Sequence, residues 1–185
     1  MFLKSSIGYR RRYGMWNITL VVAMDRNRAI GVGNKIPWRL PEEQHYFKSR
    51  TIGKVVVMGR KTYESLPRSV RPLPWRINVI LTRDTSFVAE GCGIVHDHKT
   101  ILERAALGQM NMIIGGEEIY KLFLPYANRL LVTIIDTEIE GADKFFPEIN
   151  SEEWQEVFLR SHEANTKNAH SFAFLEYFRK PSRGA

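Results

Sequence analysis

Cysteine is almost missing from this chain of 185 residues: Cys92 is alone, so no intrachain disulfide can form, and a reducing compartment is the expected home. No apolar run approaches the roughly 18 residues that a membrane span needs, so a soluble cytoplasmic protein without membrane partners is expected. Acidic residues are missing from the first fourteen positions, MFLKSSIGYRRRYG, where Lys4, Arg10, Arg11 and Arg12 supply four of the seven net positive charges. No apolar stretch follows those cations, which argues against a secretory signal; the segment reads as a disordered extension with Met15 as the ordinary first residue, the alternatives being an organelle-targeting peptide, for which it is short, or a nucleic-acid-binding arm. With that arm set aside the body is only mildly basic. It has no stripe of alternating aromatic and basic residues and no nucleic-acid reader motif, so no nucleic-acid partner is expected. Internal repeats, low-complexity tracts and linkers are likewise missing. Residues 1–15 are therefore assigned to the extension and 16–185 to one domain, with 44% hydrophobic and 25% charged residues, as globular chains have.

What is present is organised around Ile36 to Lys48, IPWRLPEEQHYFK. Pro41 suits the first position of a helix, and Leu40 before it is biased off the helical region, so a helix is predicted to begin at Pro41. On that helix Glu43 and Phe47 share a face with Leu40, while Glu42, His45 and Arg50 can face solvent. Glu43 is the carboxylate directed inward. Burial raises such a group's pKa and the first helical turn lowers it, so the acid is tunable. A solvated first-turn glutamate beside Glu42 is the alternative.

Asn17 to Met24 is a short apolar run rich in β-branched residues, expected as a strand buried on both faces. Asp25 to Lys35 has two glycines and two asparagines without periodicity and reads as a mobile loop, a candidate lid. Lys54 to Met58 gives a second strand. Gly59-Arg60-Lys61-Thr62 then opens a helix through Glu64 and Leu66, where a glycine turn and two cations form a candidate anion site or a plain turn. Pro67 to Arg76 is a rigid irregular crossing. Strands follow at Ile77 to Thr82, around Ile94 and Val95, at Asn111 to Ile114 and at Arg129 to Asp136. Helices are predicted near Lys99 to Leu107 and from Glu117 to Leu124, the latter stopped by Pro125. Trp154 to Phe158 and Ser171 to Phe178 alternate around the polar segment Glu163 to Asn168, as an antiparallel hairpin does. The expected fold class is α/β: a mixed, mostly parallel central sheet flanked by helices, closed by a C-terminal antiparallel hairpin. Gly115-Gly116 at a strand end marks either a ligand turn or a tight turn alone.

The motifs VVAMDRNRAIG, IPWRLPEEQHYFK, VVVMGRKTYESL, RPLPWR, IIGGEEIY and LVTIIDTEIEGADKFFPE, taken in that order, resemble the dihydrofolate reductase family from about Asn17 to the C-terminus. The resemblance implies reduction of 7,8-dihydrofolate to tetrahydrofolate with NADPH, with hydride passing to pterin C6 and a proton to N5, in a monomer. It also implies roles for individual residues. Glu43 matches the pterin-binding carboxylate, with Trp38 and Thr133 in its hydrogen-bonding neighbourhood and Tyr120 completing the catalytic group. Val21, Val22, Phe47, Lys48, Leu66, Leu73 and Ile114 match substrate contacts, and Arg76 matches the arginine on the substrate's glutamate tail. Ala23, Ile30, Asn34, Lys35, Gly59, Arg60, Lys61, Thr62, Leu81, Thr82 and Arg83 match cofactor contacts, as do Ile114, Gly115, Gly116, Glu117, Glu118, Ile119 and Tyr120. The cations among them suit the extra 2′-phosphate of NADPH. The Gly115–Gly116 peptide is typically cis in this family. Asn27 to Ile36 match its mobile loop, supported by Asp143, and no metal is implied.

Three departures stand out. Most bacterial members carry Asp-Leu where this chain has Glu43-Gln44, and Glu-Gln resembles the transferable trimethoprim-insensitive enzymes. Extra residues also occur around Pro67 to Val70 and near Ala142. The nearest rival is the pyrimidine reductase of riboflavin synthesis, which shares the architecture and NADPH but has no use for Trp38, Glu43, Phe47 and Arg76 together. A basic nucleic-acid-binding module is the rival from another class.

Overall fold

The computed structural model describes residues 17–181, so the basic extension expected over residues 1–15 lies outside it. Strand β1 (Ile18–Asp25) sits inside an eight-stranded sheet with β3 (Val55–Gly59), β4 (Ile77–Leu81), β5 (Cys92–Val95), β6 (Asn111–Ile113), β7 (Arg129–Ile135), β9 (Trp154–His162) and β10 (Phe172–Arg179). The order is β5-β4-β3-β6-β1-β7-β10-β9. Pairing is parallel from β5 to β7 and antiparallel through β10 and β9, as the fold class anticipated. The continuous apolar runs follow from this position. Alternate residues of one strand go to opposite faces, and in a parallel sheet covered on both sides each must be apolar. Leu20 and Val22 join the core cluster that includes Ile101, Leu102, Tyr120 and Phe123, while Val21 joins Val56, Met58, Tyr63 and Leu131 on the other face.

Among the described residues four α-helices cover the sheet: α1 (Pro41–Thr51), α2 (Arg60–Ser65), α3 (His98–Ala106) and α4 (Glu117–Phe123). α3 and α4 supply apolar residues to the first cluster; Phe47 of α1 and Tyr63 of α2 pack on the second. α1 starts at Pro41, after an extended Leu40, where the sequence placed it.

Several expectations need correction. The segment Asp25 to Lys35 is not pattern-free: Ala29–Gly31 forms strand β2, which pairs with β8 (Lys144–Phe145), and Val32 bridges to Lys35. Its partner lies more than a hundred residues away, so no local signal marked it. Buried Asp25 ties the segment down, its Oδ1 accepting from the backbone N–H groups of Asn27 (2.8 Å) and Ala29 (2.7 Å) and its Oδ2 from that of Ile139 (2.8 Å). Pro125 does not end the chain's helical course: α4 stops at Phe123, and Leu124–Tyr126 continue as a 3₁₀ turn that admits proline at its start. Arg50 is only partly exposed to solvent, because it pairs with Glu176 of β10.

Candidate active site

The carboxyl ends of the parallel strands open into a large cleft of about 1160 Å³. Ala23, Gly59, Leu81 and Ile114, at or just beyond the ends of β1, β3, β4 and β6, all line it. That is where open α/β sheets hold ligands, and the volume exceeds the ~300–1,000 Å³ usual for one small molecule. Two ligands fit better than one.

One half of the cleft is apolar. Val21, Val22, Phe47, Leu66, Leu73 and Ile114 line it with Trp38 and Ile36, and Glu43 brings a carboxyl among them from the first turn of α1. No hydrogen-bond donor among the described residues reaches that carboxyl. Burial pushes its pKa from 4.5 up to about 7, so desolvation outweighs the favourable helix position. Leu73 reaches this wall because buried Asn78 clamps its backbone, Nδ2 donating to Leu73 O (2.9 Å) and Leu73 N donating to Oδ1 (3.0 Å).

The other half is polar. Arg60, Lys61, Thr62, Thr82, Arg83 and Asp84 form its wall, together with His96, Asp97 and His98, which the sequence did not single out. α2 has only six residues, so the cations rather than its dipole supply the positive field. His96 Nδ1 lies 2.9 Å from Thr82 O, and a carbonyl can only accept, so Nδ1 carries the proton and Nε2 is left for a ligand or water.

The halves meet at Gly115-Gly116. The peptide between them is cis, and Gly115 has φ +111°, a conformation that L side chains avoid. A Cβ at Gly115 would lie 3.1 Å from the Tyr120 ring, and one at Gly116 would lie 3.2 Å from Thr62 Oγ1. Gly59 N donates to Gly115 O at 2.8 Å, and the backbone N–H groups of Ile119 and Tyr120 both donate to Gly116 O at 2.9 Å. Bare backbone is therefore presented to the cleft, which a flat elongated ligand can approach closely. Tyr120 donates its hydroxyl to Val21 O (2.7 Å) beneath this turn, and burial, with the Glu43 charge second, pushes its pKa up. It is a fixed floor, not an acid poised near neutrality.

Ile30, Asn34 and Lys35 face the cleft from the loop after β2. Asn34 Nδ2 donates to Lys61 O at 3.2 Å, and Asp143 Oδ1 accepts from Gly33 N at 3.1 Å, so the loop leans on both α2 and the approach to β8. Glu117, Glu118 and Ile119 line the same side, with Lys121 bonded to both acids. Three residues singled out from the sequence do not line the cleft. Lys48 is exposed on α1. Thr133 is buried in β7 between Ala23 and Phe174. Arg76 donates to Thr51 Oγ1 (3.2 Å) and Pro74 O (3.0 Å), its guanidinium 5.9 Å from the Phe47 ring, which holds it at the rim behind Phe47. Among the described residues no cluster of His, Cys, Asp and Glu could hold a metal.

The sequence model of the dihydrofolate reductase family matches residues 17–179. The chain is 40% identical over 168 residues to a dihydrofolate reductase of Staphylococcus haemolyticus, covering 89% of this chain and 99% of that one. It is 40% identical over 163 residues to a type 3 dihydrofolate reductase of Salmonella typhimurium, covering 88% and 98%. A dihydrofolate reductase from Enterococcus faecalis, solved with NADP(H) and RAB-propyl, superposes with a TM-score of 0.80 at 33% identity, covering 90% of this chain and 97% of that one. Sequence, fold and a cleft with room for two ligands agree: the chain belongs to the dihydrofolate reductase family of NADPH-dependent oxidoreductases.

Proposed function

We propose that Glu43 is the acid through which this chain reduces 7,8-dihydrofolate to tetrahydrofolate. The carrying observation is that Glu43 brings the one carboxyl into the apolar half of the cleft, with its pKa pushed up to about 7 by burial. At neutral pH such a group is shared between its protonated and ionised forms, so it can accept from the pterin's N–H groups or give back a hydrogen bond at little cost. The polar half fits NADPH: Arg60, Lys61 and Arg83 suit its phosphates, Thr62 and Thr82 offer hydroxyls, and the bare Gly115-Gly116 backbone accepts its closest approach. When bound, it supplies the hydride that goes to pterin C6.

The remaining roles belong to side chains. Phe47, Leu66, Leu73 and Ile114 exclude water and sandwich the flat rings, which strengthens the hydrogen bonds that Glu43 makes. Arg76, at the rim, offers its planar fork to the carboxylate of the glutamate tail. Trp38 holds water near Glu43, and the proton for N5 arrives through water. Thr133 supports that arrangement from within β7, Lys48 meets the substrate from outside the cleft, and Ile30, Asn34 and Lys35 close over both ligands. We read the enzyme as a cytoplasmic monomer; among the described residues no helix is long and apolar enough to cross a membrane.

The test is NADPH oxidation followed at 340 nm with dihydrofolate. Turnover supports the reading; none with dihydrofolate, together with turnover of the aminopyrimidine of riboflavin synthesis, overturns it. Glu43 is one methylene longer than the usual aspartate and Gln44, also in the cleft, is an amide where a leucine is common. A diaminopyrimidine therefore meets a displaced carboxylate and an amide it must desolvate, and weakened trimethoprim inhibition is expected. An inhibition constant as low as that of Asp-Leu enzymes contradicts this.

A further inference from the structure

Helix α1 carries Glu43 and Phe47 into the cleft, yet it has little apolar surface with which to hold itself on the sheet. Of its eleven residues, PEEQHYFKSRT, only Tyr46 and Phe47 are large and apolar, and Phe47 is given to the cleft. Glu42 N donates to Asn168 Oδ1 (3.3 Å) at the start of α1 and Thr51 Oγ1 accepts from Arg76 (3.2 Å) at its end; between them two contacts fasten the helix to β10. The Tyr46 ring stacks on Phe174 with centroids 4.0 Å apart and planes at 30°. One turn further on, Arg50 Nη2 donates to Glu176 Oε1 at 2.7 Å. Phe174 and Glu176 are two apart on β10 and so point to the same side. Glu43 and Phe47 are four apart, as are Tyr46 and Arg50, and three-residue steps join the two pairs along one flank of the helix.

Glu176 is buried, and a second cation holds it independently of α1. Arg129 of β7 grips both of its oxygens, Nη2 at 2.7 and 2.6 Å and Nε at 3.2 Å. The carboxylate is thus already compensated within the sheet, and Arg50 adds a charge-assisted bond whose role is to place the helix. Lys54 Nζ, donating to Arg50 O at 2.7 Å, fixes the backbone at the same point.

We infer that Arg50 is a positioning residue for the reduction: docked on the Arg129–Glu176 pair, it sets how deeply α1, and with it Glu43 and Phe47, sits against the substrate half of the cleft. The inference rests on the proposed role of Glu43. The cofactor half is built from α2, α4 and the ends of β3, β4 and β6, none of which this bond touches, so the effect is confined to substrate.

Arg50→Leu separates these roles, because Glu176 keeps Arg129 and the fold keeps a neutral pair. The expected result is a folded enzyme whose kcat/KM for dihydrofolate falls roughly tenfold or more, as small misplacements of a catalytic group do, with NADPH affinity unchanged. The inflection of the pH profile assigned to Glu43 moves to lower pH as the carboxyl becomes better hydrated, and Arg50→Lys restores part of the loss. Arg129→Gln takes an equal charge from Glu176 without touching α1 and is expected to lower Tm while leaving the dihydrofolate and NADPH constants in their wild-type ratio. A folded Arg50→Leu enzyme with wild-type kcat, KM and pH profile overturns the inference. So does an Arg129→Gln enzyme showing the same selective loss. Should Arg50→Leu not fold, Arg50→Lys decides: a selective rise in KM for dihydrofolate supports the inference and unchanged constants overturn it. Wild type that does not reduce dihydrofolate would instead defeat the underlying functional reading.

Discussion

The two halves of the cleft solve opposite electrostatic problems. The cofactor half gathers Arg60, Lys61 and Arg83 near solvent, where each cation costs little to maintain and several add up to a field suited to phosphates. The substrate half places a single carboxyl among apolar side chains with no donor among the described residues, and its pKa rises to about 7. One half selects its ligand by accumulated exposed charge; the other by one group made reactive through burial. Loss of a single side chain should therefore be graded in the first and nearly complete in the second.

The largest expected effect is that of Glu43→Gln. At pH 7 its rate of dihydrofolate reduction should fall roughly a hundredfold or more, the low end of a general-acid contribution, with partial recovery in acid where solvent supplies the proton. Stability should move the other way. Because its pKa is raised in the folded state, Glu43 costs nothing below 4.5, costs progressively more as pH rises towards about 7, and carries its full penalty above that. Glu43→Gln should thus be more stable than wild type at pH 8, by up to roughly 3 kcal/mol, and indistinguishable at pH 4, as read from urea denaturation. A destabilised variant at pH 8 would mean that the carboxylate has partners.

Arg60→Gln probes the other half and should be milder. Arg60 is 40% exposed and already paired with Glu64 at 3.2 Å, so NADPH affinity should weaken by about tenfold, the scale of one charge-assisted bond, while NADH affinity is unchanged. Equal loss for both cofactors in fluorescence titrations would remove Arg60 from the 2′-phosphate. The smallest effect belongs to Asp143→Ala. It deletes two exposed side-chain contacts, Gly33 N to Asp143 Oδ1 and the Lys144 Nζ–Asp143 Oδ2 pair at 3.3 Å, yet leaves Asp143 N bonded to Gly31 O and the β2–β8 pairing intact. A change in turnover of a few fold, with stability within about 0.5 kcal/mol, is expected for exposed contacts of this kind.

The same division explains what the sequence alone makes legible. The start of α1 was legible because Pro41 and Leu40 act locally, and the inward direction of Glu43 followed from helical periodicity. The parallel sheet was legible because doubly buried strands must be apolar. Partners that meet across long stretches were not: Arg50 finds Glu176 after 126 residues, and β2 finds β8 only in three dimensions. His96 and Asp97 enter the cleft because β5 lies beside β4 in the sheet, which no motif announces. Lys48, Thr133 and Arg76, conversely, carried a resemblance in sequence that does not become cleft surface: Lys48 is exposed on α1, Thr133 is buried within β7, and Arg76 is turned to Thr51 and Pro74.

The measurement that bears most directly on the substrate half is the titration of Glu43 itself, by difference infrared spectroscopy of wild type against Glu43→Gln in the free enzyme. The protonated carboxyl band should persist to near-neutral pH and disappear with a midpoint of about 7. A midpoint near 4.5 would show an ordinary hydrated glutamate and contradict the claim that burial prepares this group for the reaction.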